Sequence, residues 1–147
     1  MGQKNDVLEV RDLRTQFNLR EGVLKAVDGV EFTVGSGEVV GIVGESGCGK
    51  SITVRSILRM IRKPGESSGS VLFRASDSEP VDLMTLSSRG TEIREIRGKK
   101  INMIFQEPMN ALSPVHTVGS QIIEAIMLHT ELDKHAAREK TIELLQS

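Results

Sequence analysis

The sequence is poor in aromatic and sulfhydryl side chains. Its 147 residues include four Phe and one Cys, and neither Trp nor Tyr occurs. Because Cys48 has no second cysteine to pair with, a disulfide framework and a cysteine-based zinc site within this chain are excluded. The shortage of aromatic rings also argues against the stacking surfaces that bind single-stranded nucleic acid.

Long apolar runs and an excess of one charge are missing as well. The formal net charge is -1, so no global field predicts binding to nucleic acid or to an anionic membrane. No stretch approaches the roughly 20 apolar residues of a membrane span, and the opening MGQKNDVLEV lacks the apolar core of a signal peptide. We expect one soluble cytoplasmic domain that has no nucleic-acid partner.

Two kinds of periodicity divide the first half of the chain. Partial alternation of β-branched residues predicts strands between residues 7 and 34, with a turn at Glu21-Gly22. The near-continuous apolar run Val39–Val43 is typical of a strand that is buried on both faces of a sheet. A helix is predicted directly after the glycines, with Val54, Ile57, Leu58 and Ile61 at helical spacing, and Lys63-Pro64-Gly65 ends it.

The second half continues the alternation of strands and helices. Its predicted elements are a strand at Ser70–Arg74, a polar surface excursion at 75–88, a helix at Glu92–Arg97, a buried strand at Ile101–Phe105 and helices at Val118–Ile126 and after Asp133. Gly98 is the residue type that ends a helix, and Asp133 is the type that caps one. Because strand, glycine-rich loop, helix and strand follow one another, we predict an α/β sheet with crossover connections.

Three glycines precede the first predicted helix. The stretch GESGCGKS fits the phosphate-loop pattern G-x-x-x-x-G-K-[ST]. It consists of Gly44, Glu45, Ser46, Gly47, Cys48, Gly49, Lys50 and Ser51. Glycines permit positive φ and leave no Cβ between backbone and ligand, so successive N–H groups can form a nest for an anion at a helix N-terminus. We therefore predict that these residues bind nucleotide phosphates.

Two side chains of this loop are predicted to act on the ligand. Lys50 reaches the β- and γ-phosphates of a nucleotide, and the hydroxyl of Ser51 coordinates Mg²⁺, which prefers oxygen ligands. Cys48 has two interpretations: a reactive thiol at a helix N-terminus, or a small residue that the loop tolerates, which we favour. A phosphate loop alone is shared by kinases, GTPases, motors and transporters.

A polar residue follows the second predicted buried strand. Gln106 comes directly after Ile101–Phe105, and the carboxyl ends of strands lie where open α/β sheets bind their ligands. Gln106 is therefore a candidate for contact with Mg²⁺ or with the water that attacks the γ-phosphate. The alternative is an ordinary surface glutamine.

Two blocks of sequence together resemble one protein family. GIVGESGCGKS and, further along, MIFQEPMNALSPVHTVG resemble the ATP-binding subunits of ABC transporters. AVDGVEFTVGSGEVVGIVGESG fits the branch of that family that imports dipeptides and oligopeptides, or nickel. The resemblance covers about Val7 to Ser147.

The resemblance implies a fold and its subdivision. Residues 1–147 would form an incomplete ABC ATPase domain of the α/β class, which is a P-loop NTPase core with an N-terminal antiparallel β region. Residues 1–106 would hold the β region and the core up to the Q-loop. Residues 107–147 would begin an α-helical subdomain.

The resemblance also implies ligands and their contacts. ATP and Mg²⁺ would bind at the phosphate loop, with Lys50 and Gln106 in catalytic roles and with Ser51 and Gln106 as metal ligands. Gln106 would be the Q-loop glutamine, which senses the γ-phosphate and whose loop contacts the membrane permease. Phe17 would stack on the adenine, the alternative being a strand residue packed against the sheet.

Partners and location follow from the same resemblance. The partners would be a second ABC ATPase subunit, identical or different, and transmembrane permease subunits. An extracytoplasmic solute-binding protein would take part indirectly. The chain would be a peripheral protein at the cytoplasmic face of the inner cell membrane.

Several motifs of the family do not occur in this sequence. It has no LSGGQ-type signature, no hydrophobic run ending in Asp with an adjacent catalytic Glu, and no switch histidine, since we interpret His116, His129 and His135 as surface residues. We therefore expect a fragment or truncated product of a peptide-import ATPase that binds nucleotide weakly and does not hydrolyse it. Val39–Val43 and Ile101–Phe105 would then have exposed edges.

Two alternatives stay open at this point. One is a catalytically inactive nucleotide-binding module with a regulatory role. The other is a different P-loop enzyme, such as a small-molecule kinase.

Overall fold

The computed structural model describes residues 6–75, 79–105 and 112–146. Contacts within the chain divide it into two units, Met1–Arg94 and Glu95–Ser147. The elements in chain order are β1 (Asp6–Leu19), β2 (Gly22–Gly35), α1 (Lys50–Ile57), β3 (Gly65–Phe73), β4 (Val81–Asp82), α2 (Thr91–Ile96), α3 (Val118–His129) and α4 (Lys134–Gln146).

The first unit is built on a four-stranded antiparallel sheet with the strand order β2-β1-β3-β4. The hairpin of β1 and β2 closes at the pair Leu19 and Gly22, so a turn forms at Arg20-Glu21, one residue earlier than the predicted Glu21-Gly22. Because β1 pairs with β2 on one side and with β3 on the other, it lies in the middle of the well-paired part of the sheet. An antiparallel β region is the arrangement that the family resemblance implies for this part of the chain.

A β-bulge at Asp12 keeps the inward-facing residues of β1 in register. Asp12 has a φ of 44°, and the pairing with β2 shifts between Val10 and Leu13. Val10 and Leu13 are both buried although they are three positions apart, because the extra residue restores the alternation of faces. Gly69 lies opposite, where an added Cβ would stand 2.4 Å from the carbonyl oxygen of Asp12.

Helix α1 packs on β1 and β2 and completes the core of this unit. The buried apolar side chains of the first unit are Val10, Leu13, Val27, Ile57, Leu58, Val71, Phe73, Leu83 and Ile93. The predicted end of the helix at Ile61 is wrong, since α1 ends at Ile57. Arg59 adopts a left-handed φ of 56°, which a continuing helix does not allow, and its N–H donates to the carbonyl of Ser56 at 2.9 Å.

Asp82 attaches the short strand β4 to β3. Its carboxylate accepts hydrogen bonds from the N–H groups of Val71 at 3.0 Å and Met84 at 2.9 Å, and from the Ser70 hydroxyl at 2.8 Å. Burial acts to raise the pKa of Asp82, but these three donors together with the charge of Arg59 hold that pKa below its ordinary value. The folded state therefore favours the ionised carboxylate.

Part of the predicted surface excursion at 75–88 is buried. Leu83 is 0% exposed, and its N–H donates to the carbonyl of Val71 at 2.8 Å. The surface prediction is therefore wrong at Leu83, because β4 turns this side chain into the core. Residues 76–78 of the excursion lie outside the described residues.

Two predicted buried strands do not form. The run Val39–Val43 is not a strand, and its two end residues are 95% and 92% exposed. In Ile101–Phe105, Ile101 makes an isolated parallel bridge to Arg97, Ile104 is 94% exposed, and the other apolar side chains are half-buried. A buried strand needs neighbouring strands, and residues 6–75, 79–105 and 112–146 supply none to either run. The parallel sheet with crossovers is likewise absent from these residues.

Side-chain caps begin the two helices of the second unit. Thr117 precedes α3, and its hydroxyl accepts from the N–H of Ser120 at 3.2 Å. Asp133 precedes α4, and its carboxylate accepts from the N–H of Ala136 at 2.8 Å, which confirms the predicted cap. The helices α3 and α4 pack on each other. In the part of the chain that the structure describes, no helix combines the length and the apolar character needed to cross a membrane.

The predicted helix at Glu92–Arg97 is confirmed as α2, one residue earlier at each end. Gly98 follows it with a φ of 79°, the left-handed conformation that favours glycine at a helix end. An added Cβ at Gly98 would stand 2.6 Å from Nε2 of His129, so this half-buried imidazole lies against the glycine. The other two histidines, His116 and His135, are exposed, as the surface interpretation requires.

Candidate functional site

The predicted phosphate loop connects the sheet to α1. Residues 44–49 form an irregular turn, and Lys50 and Ser51 are the first two residues of the helix. Gly47 and Gly49 have φ values of 84° and 96°, in the left-handed region that favours glycine. The chain therefore turns sharply and enters the helix where the sequence pattern predicts it.

Gly49 is required for a second reason, which is its contact with β2. An added Cβ at this position would stand 2.3 Å from the carbonyl oxygen of Ala26. The carbonyl of Gly49 itself accepts from the N–H of Thr53 at 2.8 Å and from the Thr53 hydroxyl at 3.0 Å. The last residue of the loop is thus held between the sheet and the first turn of α1.

The Lys50 side chain folds back into the loop. Its Nζ donates to the carbonyl oxygens of Gly44 at 2.7 Å and Glu45 at 2.6 Å. Sγ of Cys48 lies 3.5 Å from the same nitrogen. An ammonium has three protons to donate, so two go to strong acceptors and the third faces a weak one. The Lys50 ammonium thus has one proton without a strong acceptor in the loop.

The start of α1 adds a positive potential to that of Lys50. The first N–H groups of a helix have no intrahelical acceptor, and its dipole favours a negative charge at this end. The first turn of α1 contains no acidic side chain, and Gly49 supplies no side-chain cap. The helix start and the Lys50 ammonium at its first residue both favour a negative charge at this end of α1.

Ser51 is the predicted Mg²⁺ ligand of the loop. It is exposed in the first turn of α1, and a hydroxyl oxygen is a ligand that Mg²⁺ accepts. No group of three or more His, Cys, Asp or Glu that could hold a metal occurs in residues 6–75, 79–105 and 112–146. A cation at Ser51 would therefore take most of its ligands from phosphate oxygens and water, which is how Mg²⁺ commonly binds.

Of the two remaining predicted site residues, Gln106 and Phe17, the structure describes only Phe17. Gln106 lies outside the described residues, together with 107–111. Phe17 is half-buried on β1, and its ring lies against Gly65, where an added Cβ would be 2.7 Å from Cε1. Ile61 borders the same glycine, so the ring of Phe17 has contacts within the first unit whether or not it also stacks on a base.

A cluster of three hydroxyl groups close to the loop was not predicted from the sequence. Thr15 on β1, Ser56 on α1 and Ser67 on β3 bring their hydroxyl oxygens together in the core. Alternation could have found Thr15, since it follows Leu13 on the inward face of β1. The burial of Ser56 and Ser67 could not be predicted from the sequence, because serine is mostly exposed in folded proteins.

Comparison with known proteins identifies the family. The family model described as ABC transporter matches residues 27–146, which is most of the chain. This match favours neither the regulatory module nor the small-molecule kinase that the sequence had left open.

Individual relatives agree with the family model. The chain is 49% identical over 142 residues to the probable peptide ABC transporter ATP-binding protein y4tR of Sinorhizobium fredii, covering 95% of this chain and 40% of that protein. It is 41% identical over 140 residues to the oligopeptide transport ATP-binding protein AppD of Bacillus subtilis, covering 95% and 41%. The chain therefore spans about two fifths of the length of these curated relatives.

A solved structure agrees with the fold. The ATP-binding cassette MJ0796, in a dimeric post-hydrolysis state bound to ADP and Pi, superposes with a TM-score of 0.74 at 21% identity. The superposition covers 95% of this chain and 56% of that chain, so a cassette contains further residues that have no counterpart here. Because the family model matches residues 27–146, this chain belongs to the ABC transporter family.

Proposed function

We propose that this chain binds the phosphates of ATP at Gly44–Ser51. In the whole protein, ATP hydrolysis would energise the import of peptides or similar solutes. The observation that carries the proposal is the loop folded around Nζ of Lys50 at the start of α1. A phosphate oxygen would replace Sγ of Cys48 as the third acceptor of the ammonium, while the N–H groups of the first turn bind the same ligand.

Different residues would contact the phosphates, the Mg²⁺ ion and the adenine base of MgATP. Lys50 neutralises phosphate charge, and Ser51 with Gln106 would hold Mg²⁺, which supplies further charge stabilisation when it is bound. Gln106 would also position the attacking water in the whole protein. Phe17 would contribute a ring to the adenine, using the part of its surface that Gly65 and the sheet leave exposed.

The names of the relatives support peptide import as the role of the whole protein. Those named above are described as peptide and oligopeptide transport ATP-binding proteins. We propose the corresponding partners: a second ATP-binding subunit, membrane permease subunits and, indirectly, an extracytoplasmic solute-binding protein. The site of action would be the cytoplasmic face of the membrane.

The 147-residue chain tested alone is expected to bind ATP without turning it over. Phosphoryl transfer depends on a positioned water and on charge stabilisation from several directions. The sequence supplies the phosphate loop but contains no signature loop, no Asp-Glu pair after a hydrophobic run and no switch histidine.

Calorimetric titration of the purified chain with MgATP tests the proposal. Lys50→Ala should weaken binding by about ten- to a hundredfold, because it removes a charge-assisted donor to phosphate. The matched control is Lys140→Ala, which truncates an exposed lysine paired with Glu143 on α4 and should leave affinity unchanged. A folded wild-type chain that does not bind ATP, or a Lys50→Ala variant that binds as tightly as the wild type, would refute the proposal.

A further inference from the structure

Three hydroxyl groups from three different elements meet beneath α1. The Thr15 oxygen lies 2.7 Å from the Ser56 oxygen and 2.9 Å from the Ser67 oxygen. Thr15 is 1% exposed and Ser56 is 0% exposed, so water does not reach the first of these contacts. The Ser56 hydroxyl also bonds to the carbonyl oxygen of Ile52 at 2.7 Å. One hydrogen-bonded chain therefore joins β3, β1 and α1.

The Ile52 carbonyl at the end of this series of hydrogen bonds determines which hydroxyl group donates in each of them. A carbonyl oxygen only accepts, so Ser56 must donate its single hydroxyl proton to Ile52. Ser56 can then bond to Thr15 only as an acceptor, so Thr15 donates to Ser56. By the same reasoning Thr15 accepts from Ser67. All donors point one way, from β3 towards the helix, and successive bonds of this kind strengthen one another.

The chain of hydroxyls ends in the turn that carries the phosphate loop. Ile52 directly follows Lys50 and Ser51, and in the next position Thr53 holds the carbonyl of Gly49 through both its N–H and its hydroxyl. The loop is therefore fixed to β2 by the contact between Gly49 and Ala26, while the hydroxyl chain fixes the helix to β1 and β3.

We infer that Thr15 is a positioning residue for the phosphate site. Its hydroxyl holds α1 at the depth and rotation at which Lys50, Ser51 and the first N–H groups face a phosphate. This inference rests on the proposed ATP binding. It assigns Thr15 a role that requires both donation and acceptance, which no apolar residue of the same shape can perform.

Thr15→Val tests the role, since valine keeps the shape and loses the hydroxyl. We expect the Kd for MgATP, measured by titration of the whole chain, to rise about tenfold, because the buried oxygen of Ser56 loses its donor and the helix relaxes away from it. Thr15→Ser retains a hydroxyl and should restore the Kd to within about twofold of the wild type.

A buried threonine elsewhere supplies the matched control. Thr141 is 3% exposed, and its hydroxyl donates to the carbonyl of Ala137 within α4. Thr141→Val makes the same chemical change and should lower the urea midpoint while altering the Kd by less than about twofold. Affinity measured well below the unfolding transition then separates positioning from loss of stability.

The outcomes distinguish the inference from the function on which it rests. A wild-type chain that does not bind ATP refutes the proposed function. A wild type that binds, with a folded Thr15→Val variant of equal affinity, refutes only the role of Thr15. If Thr15→Val does not fold, Ser56→Ala replaces it, because it removes the acceptor on α1 to which the Thr15 hydroxyl donates. A threefold weaker Kd for Ser56→Ala would support the inference, and an unchanged one would overturn it.

Discussion

The inward-facing side chains of strands β1 and β3 and the apolar run Val39–Val43 lie in the same unit, and the first are buried whereas the second are exposed. Val10, Leu13 and Val71 in the sheet are at most 2% exposed, whereas the ends of the run are more than nine-tenths exposed. Both segments are rich in β-branched and aliphatic residues, so composition does not explain the difference. The difference lies in the partners that each segment finds within the described chain.

Strands β1 to β3 find partners within the described residues. A tight hairpin joins β1 to β2, and β3 returns to the other side of β1. The run 39–43 pairs with no strand among the described residues, although its pattern requires neighbours on both sides. The superposed cassette has further residues that this chain does not match. An apolar pattern thus indicates that a segment is buried in the complete fold, but it does not indicate which other segment packs against it.

The largest expected effect is on the sheet. Leu13→Ala should lower the free energy of unfolding by about 3 kcal/mol, because Leu13 is fully buried and truncation leaves a cavity. Leu19→Ala is the control on the same strand, where a side chain that is 47% exposed should cost less than about 1 kcal/mol. Urea unfolding followed by circular dichroism measures both. Equal losses would contradict the central place of β1 in the core.

An intermediate effect is expected at the edge of the sheet. Asp82→Asn should cost about 2 kcal/mol at neutral pH, because an ionised acceptor of three hydrogen bonds is replaced by a neutral amide. Asp28→Asn, which alters an exposed carboxylate on β2, is the control. Urea midpoints compare the two.

The same variant has a pH signature with a definite sign. The pKa of Asp82 in the folded state lies below its unfolded value of about 3.9, so the stabilisation is fully present above that value. It is lost as the pH falls through the lower folded pKa. The difference between wild type and Asp82→Asn should therefore be largest near neutrality and shrink below about pH 4. A difference that grows in acid would contradict the assignment.

The smallest effect on stability is expected in the exposed run. Replacing Val39 and Val43 together by lysine should change the free energy of unfolding by less than about 0.5 kcal/mol, since neither side chain is packed. Sedimentation should show less self-association than the wild type, because exposed apolar segments promote contacts between copies. A loss as large as that of Leu13→Ala would show that the run is packed in solution.

Local signals predicted much of the fold correctly. The hairpin followed from β-branched alternation and the turn predicted at Glu21-Gly22, one residue beyond the observed turn, and the start of α4 followed from Asp133. These features depend on residues that are close in sequence. The phosphate loop could be predicted for the same reason, since its glycines, Lys50 and the helix start lie within eight positions.

The features that could not be predicted depend on distant residues or on single dihedral angles. The end of α1 depends on the left-handed φ of Arg59, a residue type that rarely adopts it. The bulge at Asp12 depends on the close approach of Gly69, far along the chain. The hydroxyl chain requires the fold to bring two strands and one helix together, which no periodicity encodes.

The inward-folded Lys50 has a consequence for how fast a ligand is captured. The hydrogen bonds from Lys50 to two carbonyls already fix the conformation of the loop. The entropic cost of ordering the loop when a phosphate binds should therefore be small. In the proposed binding, a phosphate oxygen would take the place of one weak sulfur neighbour of the ammonium. Association should consequently be limited by diffusion and by the expulsion of water rather than by refolding of the loop.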